Sequence, residues 1–294
     1  MGKNEAYWGL KNRKTIGISR VRGKIKWIVL VALGAAYLAV AISYLRSSEV
    51  LSRQYPALER SLPVSTNPEV LARGEELAML YGCYRGCHGP AMQGSVVEEG
   101  MLVGRIVAPN LTASIRNHSL TTIEAMVRQG VRPDGTSLFH MPSAGYAVMT
   151  DEDFTAITSF IRAYPLQVDR QPAGKFGLSS RLALLTGDLR PQATQVRDAP
   201  WHDGYQSEPR RLGEYLVRNA CVECHGLDPL RDRGDVTALV RAQDYDRWEF
   251  VGFVRSGMAL GDKVLGRKTE MMKSRFGSLT EKEIEAIYAY LSSL

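Results

Sequence analysis

Only four of the 294 residues are cysteine, too few for a disulfide framework, and none is left over once they are paired by position. A basic surface is missing too. The formal net charge is +6, but residues 1–26 hold eight Lys/Arg against one Glu, a surplus of seven, so the rest of the chain carries a net −1. That excludes the basic face which nucleic-acid binding requires. Strand signals are weak throughout, which points to a mainly helical fold.

Charge is absent from one stretch. The nineteen residues 27–45, from Trp27 to Leu45, contain no charged side chain. As a helix they reach about 28 Å, close to the ~30 Å hydrocarbon core of a bilayer. Trp27 and Tyr44 suit the two interfaces, and the basic tail before the span predicts a cytoplasmic N-terminus. A cleaved signal peptide is the alternative, with Ala39-Val-Ala41 as its cleavage site, but the apolar run exceeds the ~7–15 residues of an ordinary signal core. Either way, everything after Arg46 is expected on the trans side.

The chain beyond the span contains a duplication. Residues 46–66 are polar, with Pro56 and Pro63, and read as a stalk. Two similar blocks come next, at 67–168 and 208–294, joined by a linker at 169–207 with Pro172, Pro191, Pro200 and a short helix at Leu182–Leu185. The blocks open on Arg73-Gly-Glu-Glu-Leu and Arg211-Leu-Gly-Glu-Tyr-Leu, each arginine ten residues before a cysteine. Each block closes on a helix with a threonine N-cap, Thr150 or Thr280. Phe154, Ile157 and Ile161 repeat as Ile284, Ile287 and Leu291, one buried face on each helix.

The cysteines fall one pair to a block, and a histidine comes directly after each pair: Cys83-Tyr-Arg-Gly-Cys87-His88 and Cys221-Val-Glu-Cys224-His225. Two thiols in this spacing can add to the two vinyl groups of a porphyrin, and the next imidazole then ligates the iron. The second cluster fits the short haem-attachment motif directly. The first carries one extra residue, absorbed in the loop with help from Gly86. A Cys83–Cys87 disulfide or a zinc site is the rival reading, but zinc wants about four ligands and each cluster offers three. Two covalently bound haem c groups are therefore expected.

The opposite axial ligand is sought downstream. Met141 lies nine residues before Thr150, and Met271 lies nine before Thr280. Met272 and Met258 are rivals of Met271, and His140 is a rival of Met141. Met149 reads as a core residue, and His118 and His202 as surface residues. Histidine/methionine ligation fills both axial positions and favours electron transfer over reaction with small molecules.

These residues resemble the class I cytochrome c family in a membrane-anchored diheme form, over both blocks but not the tail, stalk or linker. Ala108-Pro109-Asn110-Leu111-Thr112 is similar to the family's Pro-Asn-Leu segment, which implies that the Pro109 carbonyl accepts a hydrogen bond from His88. The second block lacks a clear counterpart, with Pro229 a loose one. Arg128-Gln-Gly-Val-Arg-Pro-Asp-Gly135 through Met141-Pro142 is similar to cytochrome subunits of bacterial membrane-bound dehydrogenases. The resemblance implies an all-α fold: one transmembrane helix, then two tandem class I cytochrome c domains. It implies an electron carrier of the bacterial inner membrane with periplasmic haem domains, not itself an enzyme. Electrons would pass from a dehydrogenase or quinol-oxidising complex to another cytochrome or a terminal oxidase. The alternative is a diheme redox enzyme, a peroxidase or a small-molecule dehydrogenase, with one haem as its active site.

Overall fold

The structure, a computed structural model, describes residues 5–168, 171–198, 209–234, 236–261 and 263–294, with side chains from residue 24 onward except at 209, 210 and 267. His202, most of the basic tail's side chains, residues 199–207 of the expected linker and residue 208 lie outside the described residues.

Helix α1 runs Glu5–Ser52 without a proline. Its part Lys24–Ser52 is long and apolar enough to cross a membrane. Trp27, Ile28, Val31 and Leu45 are all about two-thirds exposed rather than packed, as a lipid-facing helix requires. The helix continues past Leu45 and takes in the first seven residues of the expected stalk.

In the first block, Asn67 caps α2 (Pro68–Leu80), with Pro68 at its first position. A hairpin of β1 (Ser95–Gly100) and β2 (Gly104–Ala108) is next. Then come α3 (Leu111–Asn117) capped by Asn110, α4 (Leu120–Gln129) capped by Ser119, α5 (Ser143–Tyr146), and α6 (Asp151–Ala163) capped by Thr150. Between the blocks lie β3 (Lys175–Phe176), α7 (Leu178–Thr186) and α8 (Gln192–Asp198). The second block has α9 (Pro209–Ala220), α10 (Val222–His225), a 3-10 turn (Leu239–Asp244) and α11 (Arg247–Ser256). It ends with β4 (Met258–Ala259) paired to β5 (Lys263–Val264), α12 (Arg267–Phe276) and α13 (Glu281–Leu291), whose Thr280 and Glu283 form a full capping box.

The all-α expectation is corrected to a mainly helical fold with, among the described residues, two small sheets: antiparallel β1-β2-β3, and the β4-β5 pair. The missed hairpin has a physical reason. Its ladder shifts register at a bulge between Val96 and Glu98, which breaks the period-two alternation by which a strand is read. Nearly all of β1 is exposed, so no apolar face marks it.

Each block crosses two of its helices at a glycine. Helix α2 crosses α6 at Gly74, where a Cβ would stand 2.0 Å from the Ala156 carbonyl oxygen. Helix α9 crosses α13 at Gly213, where a Cβ would stand 1.9 Å from that of Ala286. Ala156 and Ala286 each lie six residues after their capping threonine. Gly74 and Gly213 are thus the matching positions, which pairs Arg73 with Leu212 and corrects the alignment on Arg211.

The expected stalk and linker are both docked. Tyr55 is buried with Val131 and Ala193, Arg60 pairs with Asp151 at 2.9 Å, and the Ser65 amide donates to Ser159 Oγ at 2.7 Å. In the linker, β3 completes a sheet and the Gln192 side chain accepts from the Ala144 amide at 3.0 Å. Residues 51–294 are one compact unit, and buried residues of both blocks, among them Leu77, Phe154, Tyr215 and Ile284, share one apolar core.

Tyr215 joins the blocks. Its hydroxyl donates to Asp153 Oδ2 on α6 and accepts from the Thr150 amide at 3.3 Å. Burial holds the Asp153 carboxyl above its usual range, and the Tyr215 bond opposes that rise. A carboxyl raised in the folded state supplies stability that is fully present below its unfolded pKa and is lost as pH rises through the folded one. Tyr215→Phe removes the bond to the ionised form. It is expected to cost about 1–3 kcal/mol near pH 7 and clearly less near pH 4. Denaturant unfolding at the two pH values checks this; an equal loss at both would refute the role given to the Asp153 charge.

Candidate haem-binding sites

The first motif sits in the loop that leaves α2. Its extra residue is absorbed by Arg85, which takes the left-handed conformation at φ 55° and lays its guanidinium over the Tyr84 ring at 5.1 Å. Gly86 then folds back on Gly82 so closely that a Cβ would stand 2.3 Å from the Gly82 carbonyl oxygen. Only glycine fits there.

Cys83, Cys87 and His88 line a cavity of about 560 Å³ that Pro109, Met141, Tyr146, Met149 and Phe154 also line. The rest of its wall is largely apolar, including Ile115, Ile123, Ile157 and Ile161. His88 Nδ1 is 2.8 Å from the Pro109 carbonyl oxygen. A carbonyl only accepts, so Nδ1 carries the hydrogen and Nε2 keeps its lone pair. Burial lowers the His88 pKa, which keeps that ring neutral, as ligation requires. The carbonyl is held in turn: Asn110 caps α3, and the Leu111 amide donates to the Met92 carbonyl at 2.9 Å. His140 stacks on Phe176 of β3 at 5.8 Å, while its neighbour Met141 packs against the shared core. Met149 is core as expected, and His118 sits at the C-cap of α3.

The second motif forms a helical turn, α10, in which the His225 amide donates to the Cys221 carbonyl at 3.0 Å. His225 Nδ1 is 2.8 Å from the Thr237 carbonyl oxygen, and burial lowers its pKa as well. This repeats the geometry of His88 with a different partner. Pro229 does not supply the carbonyl; its own oxygen accepts from the Val240 amide at 3.0 Å. Nothing in the local sequence marked Thr237, because any residue can offer a carbonyl. Met271 and Met272 both lie on α12. Met272 packs against the core that Cys221 also borders, and Met258 on β4 is 37% exposed.

All four cysteines are free thiols, so the disulfide alternative is not realised. Burial pushes Cys83, Cys87 and Cys221 up to about 12 and raises Cys224, so all are neutral thiols. Among the described residues no cluster of three His, Cys, Asp or Glu converges on a metal ion, which leaves the zinc reading without a site. A thiol pair, a neutral imidazole with a free Nε2, a methionine and apolar walls are the donor set and surroundings of haem c. The first cavity therefore fits the group.

Two residues that sequence reasoning missed join the sites. Glu223, between Cys221 and Cys224, accepts from Cys87 Sγ at 2.7 Å. Arg275 on α12 donates to Glu223 at 2.8 Å and to the Leu80 carbonyl, at the end of α2, at 2.9 and 3.2 Å. A carboxylate inside an attachment motif was visible in the sequence. Arg275 was not, since it lies in the polar run Arg267–Phe276 and its burial is purely tertiary.

Residues 208–291 match the family model described as "Cytochrome C oxidase, cbb3-type, subunit III". This segment is thus similar to a cytochrome domain. Most of the chain is also similar to cytochrome subunits of dehydrogenases. It is 24% identical to the fructose dehydrogenase cytochrome subunit of Gluconobacter japonicus, over 79% of this chain and 54% of that protein. It is 25% identical to the gluconate 2-dehydrogenase cytochrome c subunit of Pantoea cypripedii, over 78% of this chain and 60% of that protein. Over 53% of this chain and 35% of the relative, it is 30% identical to the cytochrome c subunit of the quinone alcohol dehydrogenase of Gluconobacter oxydans (strain 621H). The chain thus spans about half the length of the curated relatives it matches. Each is named as a cytochrome subunit.

Proposed function

We propose that the chain is a membrane-anchored diheme cytochrome c that carries electrons for a membrane-bound dehydrogenase. One observation carries the reading: a Cys-Cys-His cluster occurs twice, each time with histidine Nδ1 2.8 Å from a backbone carbonyl. Haem c supplies one-electron chemistry at iron when it is bound. Cys83 and Cys87 hold the first haem, and Cys221 and Cys224 the second. His88 and His225 ligate through Nε2, oriented by the Pro109 and Thr237 carbonyls. Met141 would be the methionine ligand of the first haem and an α12 methionine that of the second, where core packing supports Met272 over Met271. The two blocks act as tandem class I cytochrome c domains that share a core. The apolar walls of the first cavity would keep water from the haem held there, so little would reorganise when the charge changes. Helix α1 anchors the chain, and the basic tail keeps the N-terminus cytoplasmic, so both sites face the periplasm. The partners are a dehydrogenase as donor and a downstream cytochrome or oxidase as acceptor.

The oxidised protein is expected to hold two haems per chain and to show the sulfur-to-iron band at the red end of its spectrum. Met141→Ala and Met272→Ala are each expected to remove about half of that band. Each should lower one midpoint potential by on the order of 0.1 V, within the ~0.8 V that axial ligands span. Met271→Ala is expected to leave both in place. Absence of the band, or rapid cyanide binding at one haem, would turn the reading to a redox enzyme.

A further inference from the structure

The carboxylate of Glu223 borders both attachment sites. It belongs to the second motif by sequence, and its Oε1 reaches Cys87 Sγ of the first at 2.7 Å. Arg233 reaches only the Glu223 backbone carbonyl, at 3.3 Å, while Arg275, 3% exposed, donates to Glu223 Oε2 at 2.8 Å. The guanidinium is fixed independently by two hydrogen bonds to the Leu80 carbonyl, where a cation also meets the negative end of helix α2. Helix α12 carries Arg275 together with Met271 and Met272. An ion pair this well buried contributes little to stability on balance, and removing one partner leaves an uncompensated charge.

We propose that Glu223 and Arg275 form a shared charge control for the two haems, one ion pair whose balance sets both midpoint potentials together. The proposal rests on the two-haem reading. Attachment strengthens its logic. When Cys87 becomes a thioether its S–H donor is lost, and the Glu223 carboxylate depends all the more on Arg275. With both charges present the pair is nearly neutral towards either iron. With Glu223 removed, the buried guanidinium favours the ferrous state at both irons. With Arg275 removed, the buried carboxylate favours the ferric state at both. Glu223 and Arg275 are positioning residues that touch no substrate.

The test is a potentiometric titration of the full chain in detergent, monitored in the haem absorption bands. Haem per chain is measured on the same samples. Glu223→Gln is expected to raise both potentials and Arg275→Met to lower both. Each shift should be about tenfold in the reduction equilibrium, or about 59 mV for one electron. The double variant is expected to return both towards the starting values. Arg275→Lys keeps the charge without the planar fork, so it should melt earlier yet hold both potentials. If Arg275→Met does not fold, Glu223→Gln and Arg275→Lys decide between them. Shifts at only one haem, shifts of the same sign in the two single variants, or none at all would overturn the proposal. One haem per chain in the unmodified protein would instead overturn the two-haem reading, a separate failure seen before any titration.

Discussion

On the two-haem proposal, a chain with Cys83→Ala and Cys87→Ala is expected to carry one haem in place of two and to lose the ordered packing of its first block. The reason is volume as much as ligation. The cavity beside His88 measures about 560 Å³ and has largely apolar walls. Core cavities cost about 24 cal/mol per Å³, so leaving this one dry would cost up to roughly 13 kcal/mol. A whole domain has only about 5–15 kcal/mol of stability. The block must therefore collapse around its missing occupant or unfold, and Leu77, Phe154, Ile157 and Ile161, which face one core, would repack in either case. The damage should not stop at the block boundary, because Tyr215, Leu216 and Ile284 belong to the same core. Haem per chain, from absorbance of the pyridine complex, should fall by half, and the melt should broaden and move down. A chain that kept both haems, or lost one and still melted as sharply and as late as the parent, would sink this account of the cavity.

How much of the fold and of the sites was legible from the sequence depends on where each signal lives. The two Cys-Cys-His clusters stood out because spacing is the chemistry proposed for them: two thiols and an imidazole that would meet one ring. The closing helices were legible because Thr150 and Thr280 cap them and a 3.6-residue period marks their buried faces. The β1-β2 hairpin was not, since a bulge broke its alternation and its outer strand faces solvent. The docking of the expected stalk and linker was not, because it rests on single long-range bonds such as Arg60 to Asp151 and the Ala144 amide to Gln192. The Thr237 carbonyl was invisible for a different reason: a backbone acceptor has no residue type. The Glu223–Arg275 link needed the two blocks to be brought face to face, which no local pattern encodes.

Gly213→Ala is expected to destabilise the chain by about 1–3 kcal/mol or more, the usual cost of overpacking, and Gly74→Ala by a similar amount. Helix propensity alone predicts the opposite sign, since alanine is better than glycine in a helix interior by about 0.8–1.0 kcal/mol. The contact decides. A Cβ at 213 would stand 1.9 Å from the Ala286 carbonyl oxygen and 2.8 Å from Tyr290 Cβ; at 74 it would stand 2.0 Å from the Ala156 oxygen and 2.8 Å from Phe160 Cβ. Neither oxygen can turn aside, because each belongs to a helix backbone, so the helices must part. Parting them moves the loops that carry Cys83 and Cys221, since each motif begins within a few residues of its helix end. A fall in haem incorporation should therefore accompany the fall in stability. Gly252, in the middle of α11, supplies the control: nothing lies within 4 Å of its added Cβ, so Gly252→Ala should obey propensity and stabilise slightly. Melting temperatures measured on the three variants under one condition separate the two effects, at about 2–4 °C per kcal/mol for a unit of this size. If Gly213→Ala and Gly74→Ala melted at or above the parent temperature, the close crossings at these two glycines would not be what sets the packing of the repeated helix pair.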